Sequence, residues 1–163
     1  MILALSSTAR RSWIALICVI VGLSLFSCLP SFGWSYPVAI SGDGNGGCSV
    51  PKIARATDGR MLVAFRRKTP DWRILYRERS AAGVWGPLDT VSVPWSARPD
   101  VIEDPLGRPH LFWEGTGTSG TNDIFEAYKS GGSWTVTQLT TSNNYNEGYA
   151  RVAKDHLGRM HLV

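Results

Sequence analysis

Beyond residue 35 the apolar positions fall in short alternating runs rich in Val, Trp, Tyr and Thr, broken by Gly, Pro, Asn, Asp and Ser. That is the pattern of strands joined by turns, and no stretch keeps the 3.6-residue period of an amphipathic helix. The pattern predicts strands A at residues 50–55, 99–103 and 150–154, and strands B at 60–65 and 108–113, with a further B strand beginning at Arg159. Strands C follow at 73–78 and 124–128. A tryptophan, Trp85 or Trp134, then opens strands D, which run through 88–93 and 135–139.

One phrase recurs through this pattern: Asp58-Gly59-Arg60-Met61-Leu62-Val63, then Gly107-Arg108-Pro109-His110-Leu111-Phe112, then Gly158-Arg159-Met160-His161-Leu162-Val163. Its glycines lie 48 and 51 residues apart, the repeat length of a four-stranded β-propeller blade. The turn ahead of strand B is built by rule. In Asp104-Pro105-Leu106-Gly107 the Asp can bond its own backbone, Pro presets φ, and Gly takes the left-handed place; Asp155-His156-Leu157-Gly158 repeats the design. In Ala56-Thr57-Asp58-Gly59 the Asp stands two places later, which leaves that turn type open. The expected fold is therefore all-β, a propeller of four-stranded antiparallel blades. A ring of four to eight blades takes roughly 200–400 residues at this repeat, so the chain is read as an incomplete propeller of about two and a third blades, a fragment of a longer protein. The divisions are 1–35 leader, 36–48 linker, 49–96 first blade, 97–147 second and 148–163 the start of a third.

The leader rests on Arg10 and Arg11 ahead of an uncharged stretch from Trp13 to Leu29, the basic and apolar regions of a secretory signal. Two further readings stay open. Leu25-Phe26-Ser27-Cys28 resembles a lipobox that would lipidate Cys28, and the apolar run nearly reaches the length of a membrane anchor. Each places the rest of the chain outside the cytoplasm: secreted, periplasmic or at the cell surface, with membrane contact only through this leader or the lipid. Of the 17 Lys and Arg, Arg10 and Arg11 belong to the leader, so the remainder exceeds the 13 acids by only two. Nucleic acid is thus not an expected partner. Cys18 and Cys28 also lie in the leader, which leaves Cys48 without an internal disulfide or a metal-ligating pair, and no metal or cofactor is expected.

Loop length separates the two ends of such a blade. The A–B and C–D turns are tight and repeated, whereas the B–C loops (66–72 and 114–123) and D–A loops (94–98 and 140–149) are longer and differ in each copy. Recognition belongs on variable loops held by a rigid scaffold. His110 and His161 recur in register and read as residues that pack between blades, and Trp85 and Trp134 as core tryptophans that wedge neighbouring blades together. Arg60, Arg108 and Arg159 read as side chains that extend along the sheet or pair with turn carboxylates. The residues unique to one copy carry the candidate site: Arg66 and Arg67, with Asp71 and Trp72 nearby, to clamp a carboxylate or stack a sugar ring, Glu114 to bond a hydroxyl or accept a proton, and Tyr145 within an amide-rich loop. An ordinary solvated loop accounts for the same residues.

The run Val50-Pro51-Lys52-Ile53, Asp58-Gly59-Arg60-Met61-Leu62-Val63-Ala64-Phe65-Arg66-Arg67, Ile74-Leu75-Tyr76-Arg77 and Gly83-Val84-Trp85-Gly86-Pro87 resembles the first blade of bacterial sialidase-like, BNR-repeat propellers. The resemblance implies a six- or seven-bladed secreted propeller, in a superfamily that cleaves terminal sialic acids or binds glycans without cleaving them. Ser49 stands where that family's first substrate-binding arginine would be. Ser80-Ala81-Ala82-Gly83-Val84-Trp85 and Ser130-Gly131-Gly132-Ser133-Trp134 lack the aspartate of its Asp-box turn. Asp71 is the one carboxylate in the loop where the family's acid/base aspartate would lie. These departures favour a module that binds an extracellular glycan or protein over a divergent sialidase-type hydrolase or a structural propeller of an envelope or adhesion protein.

Overall fold

A computed structural model describes residues 39–41, 47–68, 70–141 and 144–163. The expected leader, with Cys28, lies outside the described residues. Within them the chain is all-β and contains no helix.

Ten strands form in chain order. The first sheet holds β1 (Cys48–Arg55), β2 (Met61–Arg67), β3 (Arg73–Arg79) and β4 (Trp85–Thr90). The second holds β5 (Ser96–Glu103), β6 (Pro109–Thr116), β7 (Asn122–Ser130) and β8 (Ser133–Gln138), and β9 (Val152–Lys154) with β10 (Met160–Leu162) makes a two-stranded ribbon. Each strand pairs antiparallel with its sequence neighbour, in the order β1-β2-β3-β4, β5-β6-β7-β8 and β10-β9. These are two propeller blades and the opening ribbon of a third, an incomplete propeller. The A strands begin earlier than their alternation suggested, at Cys48 and Ser96, because a bulge at the start of each hides the period.

The three A–B turns share one backbone. Ala56, Asp104 and Asp155 each donate their N–H to the carbonyl four residues on, at 2.9, 2.9 and 3.0 Å, and Gly59, Gly107 and Gly158 follow with φ of 88°, 78° and 80°. The displaced Asp58 thus leaves the turn type unchanged, and only the side-chain caps differ. Asp104 Oδ1 accepts from the Leu106 and Arg108 N–H groups and Asp155 Oδ1 from Leu157 and Arg159. Asp58 Oδ1 accepts from Arg60 alone. A further cap comes from the next blade, where buried Glu103 accepts the Thr57 N–H at 2.8 Å and faces the Arg60 guanidinium.

The arginines of the repeat do pair with turn carboxylates, Arg60 with Asp58, Arg108 with Asp104 and Arg159 with Asp155, at 2.6 to 2.7 Å. His110 works inside its own blade. Nε2 lies 3.1 Å from Asp104 Oδ2 and Nδ1 2.7 Å from Glu126 Oε1, with Tyr128 stacked on the ring, so it ties the turn to β7.

The main core lies between the first two blades. Leu62, Ala64, Ile74 and Tyr76 of the first face Val101, Leu111, Trp113 and Ala127 of the second. The A strands stack inward, β5 packing against both β1 and β9. Trp134 wedges this seam as expected: its ring meets Tyr76 edge-on at 5.0 Å, and its Nε1 donates to Asp89, which also holds Lys129. Trp85 instead packs on the other face of the first blade, with Val63, Phe65, Leu75, Leu88 and Ile40. Burying large aromatic side chains in this way contributes about 2–3 kcal/mol each.

Candidate functional site

The strand order sends the B–C and D–A connections of both blades to one end, and their residues meet there. Trp72, on the B–C loop of the first blade, and Trp95, on the D–A loop leading to the second, lie 6.3 Å apart between ring centroids at 53°. With Ala97, Glu114, Thr116 and Asn122 they line an open cleft of about 210 Å³. Trp95 is 64% exposed, a large apolar surface that folding does not explain.

Arg66, one residue before the end of β2, stands opposite Ser49 of β1. Its guanidinium lies 4.5 Å from the Trp72 ring centroid and donates twice to Ser49 Oγ, at 3.2 and 3.0 Å. Trp72 is thus in contact with both the Arg66 guanidinium and the Trp95 ring. Arg67, the next residue, falls on the opposite face of the strand and does not line the cleft.

Asp71 is committed elsewhere. Both Nε and Nη2 of Arg73 donate to Asp71 Oδ2 at 2.8 Å, and this hydrogen bonding holds the Asp71 carboxyl below its usual range. A general acid needs the opposite shift. Tyr145 is strongly exposed on the D–A loop after the second blade and is not among the cleft residues.

Glu114 occupies the place in the second blade that Arg66 holds in the first, 48 residues on. Its carboxylate is buried and saturated: Oε1 pairs with Arg98 Nη1, and Oε2 accepts the Tyr149 N–H at 3.3 Å. The ion pair raises the Arg98 pKa further. Gly148 makes room for this contact, since a Cβ there would stand 2.3 Å from Glu114 Oε2. The same loop is pinned to the cleft wall at Asn122, whose N–H donates to Asn146 Oδ1 and whose carbonyl accepts the Glu147 N–H.

The candidates Arg66, Trp72 and Glu114 therefore converge, whereas Arg67, Asp71 and Tyr145 do not line the cleft. Trp95, Arg98 and Tyr149 were missed. Arg98 and Tyr149 had one legible signal: with Val50 they stand 48 and 51 residues apart, in register with the repeat. All three have left-handed backbones, φ 54°, 48° and 62°, and the bulges in β1 and β5 sit at Val50 and Arg98. A left-handed backbone at a β-branched or bulky residue is an outlier that concentrates at functional positions.

No family model matches the chain, and no curated protein does. Among solved structures it is similar to the endo-arabinase of Bacteroides thetaiotaomicron VPI-5482, with a TM-score of 0.50 and 19% identity over 71% of this chain. The chain spans 50% of that enzyme's length. At this identity the likeness bears on the fold, and it agrees with blades of a β-propeller.

Proposed function

We propose that this chain is a glycan-binding propeller module whose recognition surface is the loop end of the blades. The observation that carries the reading is the Trp72–Trp95 pair, exposed over a cleft whose remaining wall offers the polar side chains of Thr116 and Asn122. Aromatic faces beside hydrogen-bonding groups suit a sugar ring, which has one apolar face and a rim of hydroxyls. The similarity to an endo-arabinase supports a carbohydrate over a protein ligand. Binding is preferred to hydrolysis because Asp71 and Glu114, the two loop-end carboxylates singled out as candidates, are each ion-paired to an arginine. With the leader expected over residues 1–35, the module would work outside the cytoplasm.

One observation favours a second reading, an acidic sugar in a sialidase-type site. Arg66 places its guanidinium on Ser49, the position of the missing arginine, and its contacts there are the Ser49 hydroxyl and the Trp72 ring rather than a carboxylate.

The test is calorimetric titration of the purified chain with matched pairs: arabinose and arabinopentaose, xylose and xylopentaose, sialic acid and sialyllactose. At least one pair binds, and Trp95→Ala weakens it by about tenfold or more, roughly 1.4 kcal/mol, with little change in thermal midpoint. Tight binding confined to sialic acid and sialyllactose, or sugar release from sialyllactose, would select the second reading. Failure of every pair to bind would refute the carbohydrate reading.

A further inference from the structure

Tyr149 shares its left-handed backbone with Val50 and Arg98 in the other copies, so the repeat accounts for that geometry, but it does not account for an aromatic residue left 66% exposed there. One ring face lies on the Arg98 guanidinium, 3.9 Å from the centroid, and Arg98 is itself locked by Glu114. A cation behind an aromatic ring fixes the ring's plane without burying it.

Glu114 links this ring to the cleft. The same carboxylate lines the Trp72–Trp95 cleft, pairs with Arg98 and accepts the Tyr149 N–H, so the two aromatic surfaces flank one side chain. We propose that Tyr149, backed by Arg98, is a second stacking platform for the glycan, so that the chain takes an oligosaccharide with one sugar on the tryptophan pair and another on Tyr149. This rests on the loop end being a carbohydrate surface, and it adds the length of the ligand and a site outside the cleft.

The experiment measures the ratio of oligosaccharide to monosaccharide affinity for each matched pair above. The unmodified chain binds the oligosaccharide about tenfold tighter or more. Tyr149→Ala and Tyr149→Gly bring the ratio close to one with monosaccharide affinity unchanged, and Tyr149→Phe keeps it. Tyr149→Gly retains the backbone N–H and relieves the left-handed strain, so its thermal midpoint holds or rises. An unchanged ratio in Tyr149→Ala overturns the proposal, as does a parallel loss for monosaccharide and oligosaccharide. A fall of several degrees in the midpoint of Tyr149→Gly makes the residue structural and also overturns it. Trp95→Ala separates the two readings: loss of both sugars there, with the ratio untouched by Tyr149→Ala, removes the platform and leaves the cleft. A ratio that collapses only in the Tyr149 variants, with Trp95→Ala binding normally, removes the cleft and leaves the platform. If no pair binds, both fall.

Discussion

The two ends of the blades use their residues in opposite ways. At the turn end, three copies converge on one backbone despite different sequences, and where the first lacks its capping aspartate, Glu103 of the next blade supplies a carboxylate. At the loop end, equivalent positions diverge in chemistry: Arg66 against Glu114, and Val50, Arg98 and Tyr149 along one strained series. The turn end spends its charged groups on each other, whereas the loop end leaves tryptophan and tyrosine in solvent. Repetition there marks what the architecture requires, and departure from it marks the surface that meets a ligand.

The contrast can be broken most sharply at Gly117, in the B–C loop of the second blade. A Cβ at this position would fall 1.7 Å from Oδ2 of the fully buried Asp123 and 2.8 Å from Gln138 Nε2. Gly117→Ala is expected to cost about 2–4 kcal/mol, by overpacking and by disturbing the Gln138–Asp123 hydrogen bond. Its denaturant midpoint should fall well below that of Gly120→Ala. At Gly120 a Cβ meets open space and only the positive φ is at stake, about 1 kcal/mol. Equal midpoints would show that the loop end is not tightly built.

A smaller effect sharpens the comparison at the turn end. Burial pushes the Asp104 carboxyl up, but the Arg108 N–H and guanidinium, the His110 ring and the Leu106 N–H outweigh it and leave the group below its ordinary value. Asp155, gripped first by His161 and then by Arg159, is held at about 2. Groups with depressed folded-state values stabilise the protein above their unfolded value of about 3.8, and that stabilisation is lost as pH falls toward 2. Urea midpoints should therefore drop between pH 5 and pH 2.5. The drop should be shallower in Asp104→Asn, with a lesser change in Asp155→Asn on its more exposed turn. Parallel acid profiles for all three proteins would show that the turn carboxylates do not carry this dependence.

Much of the scaffold was readable because strand alternation and turn glycines act over a few residues. Gly107 with its Asp104 cap announces a hairpin, and the repeat places Trp134 at the seam without knowledge of its partner. What escaped depends on context. Val50 and Arg98 precede prolines, a position biased away from helical backbone, and Val, Arg and Tyr carry no mark of left-handed geometry, so the bulges were invisible. Trp95 has no aromatic counterpart in the other copies, and its value arises only when the fold brings Trp72 beside it. Asp71 looked available because its loop holds no second carboxylate, yet the nearby Arg73 had already claimed it.

The most direct test of the division between the two ends is amide hydrogen exchange of the chain with and without the saccharide that binds best. The account predicts slowed exchange over residues 70–72, 95–98, 114–122 and 144–149, with the A–B turns at 56–60, 104–108 and 155–159 unchanged. Protection centred on those turns, with the loops exchanging as before, would contradict it.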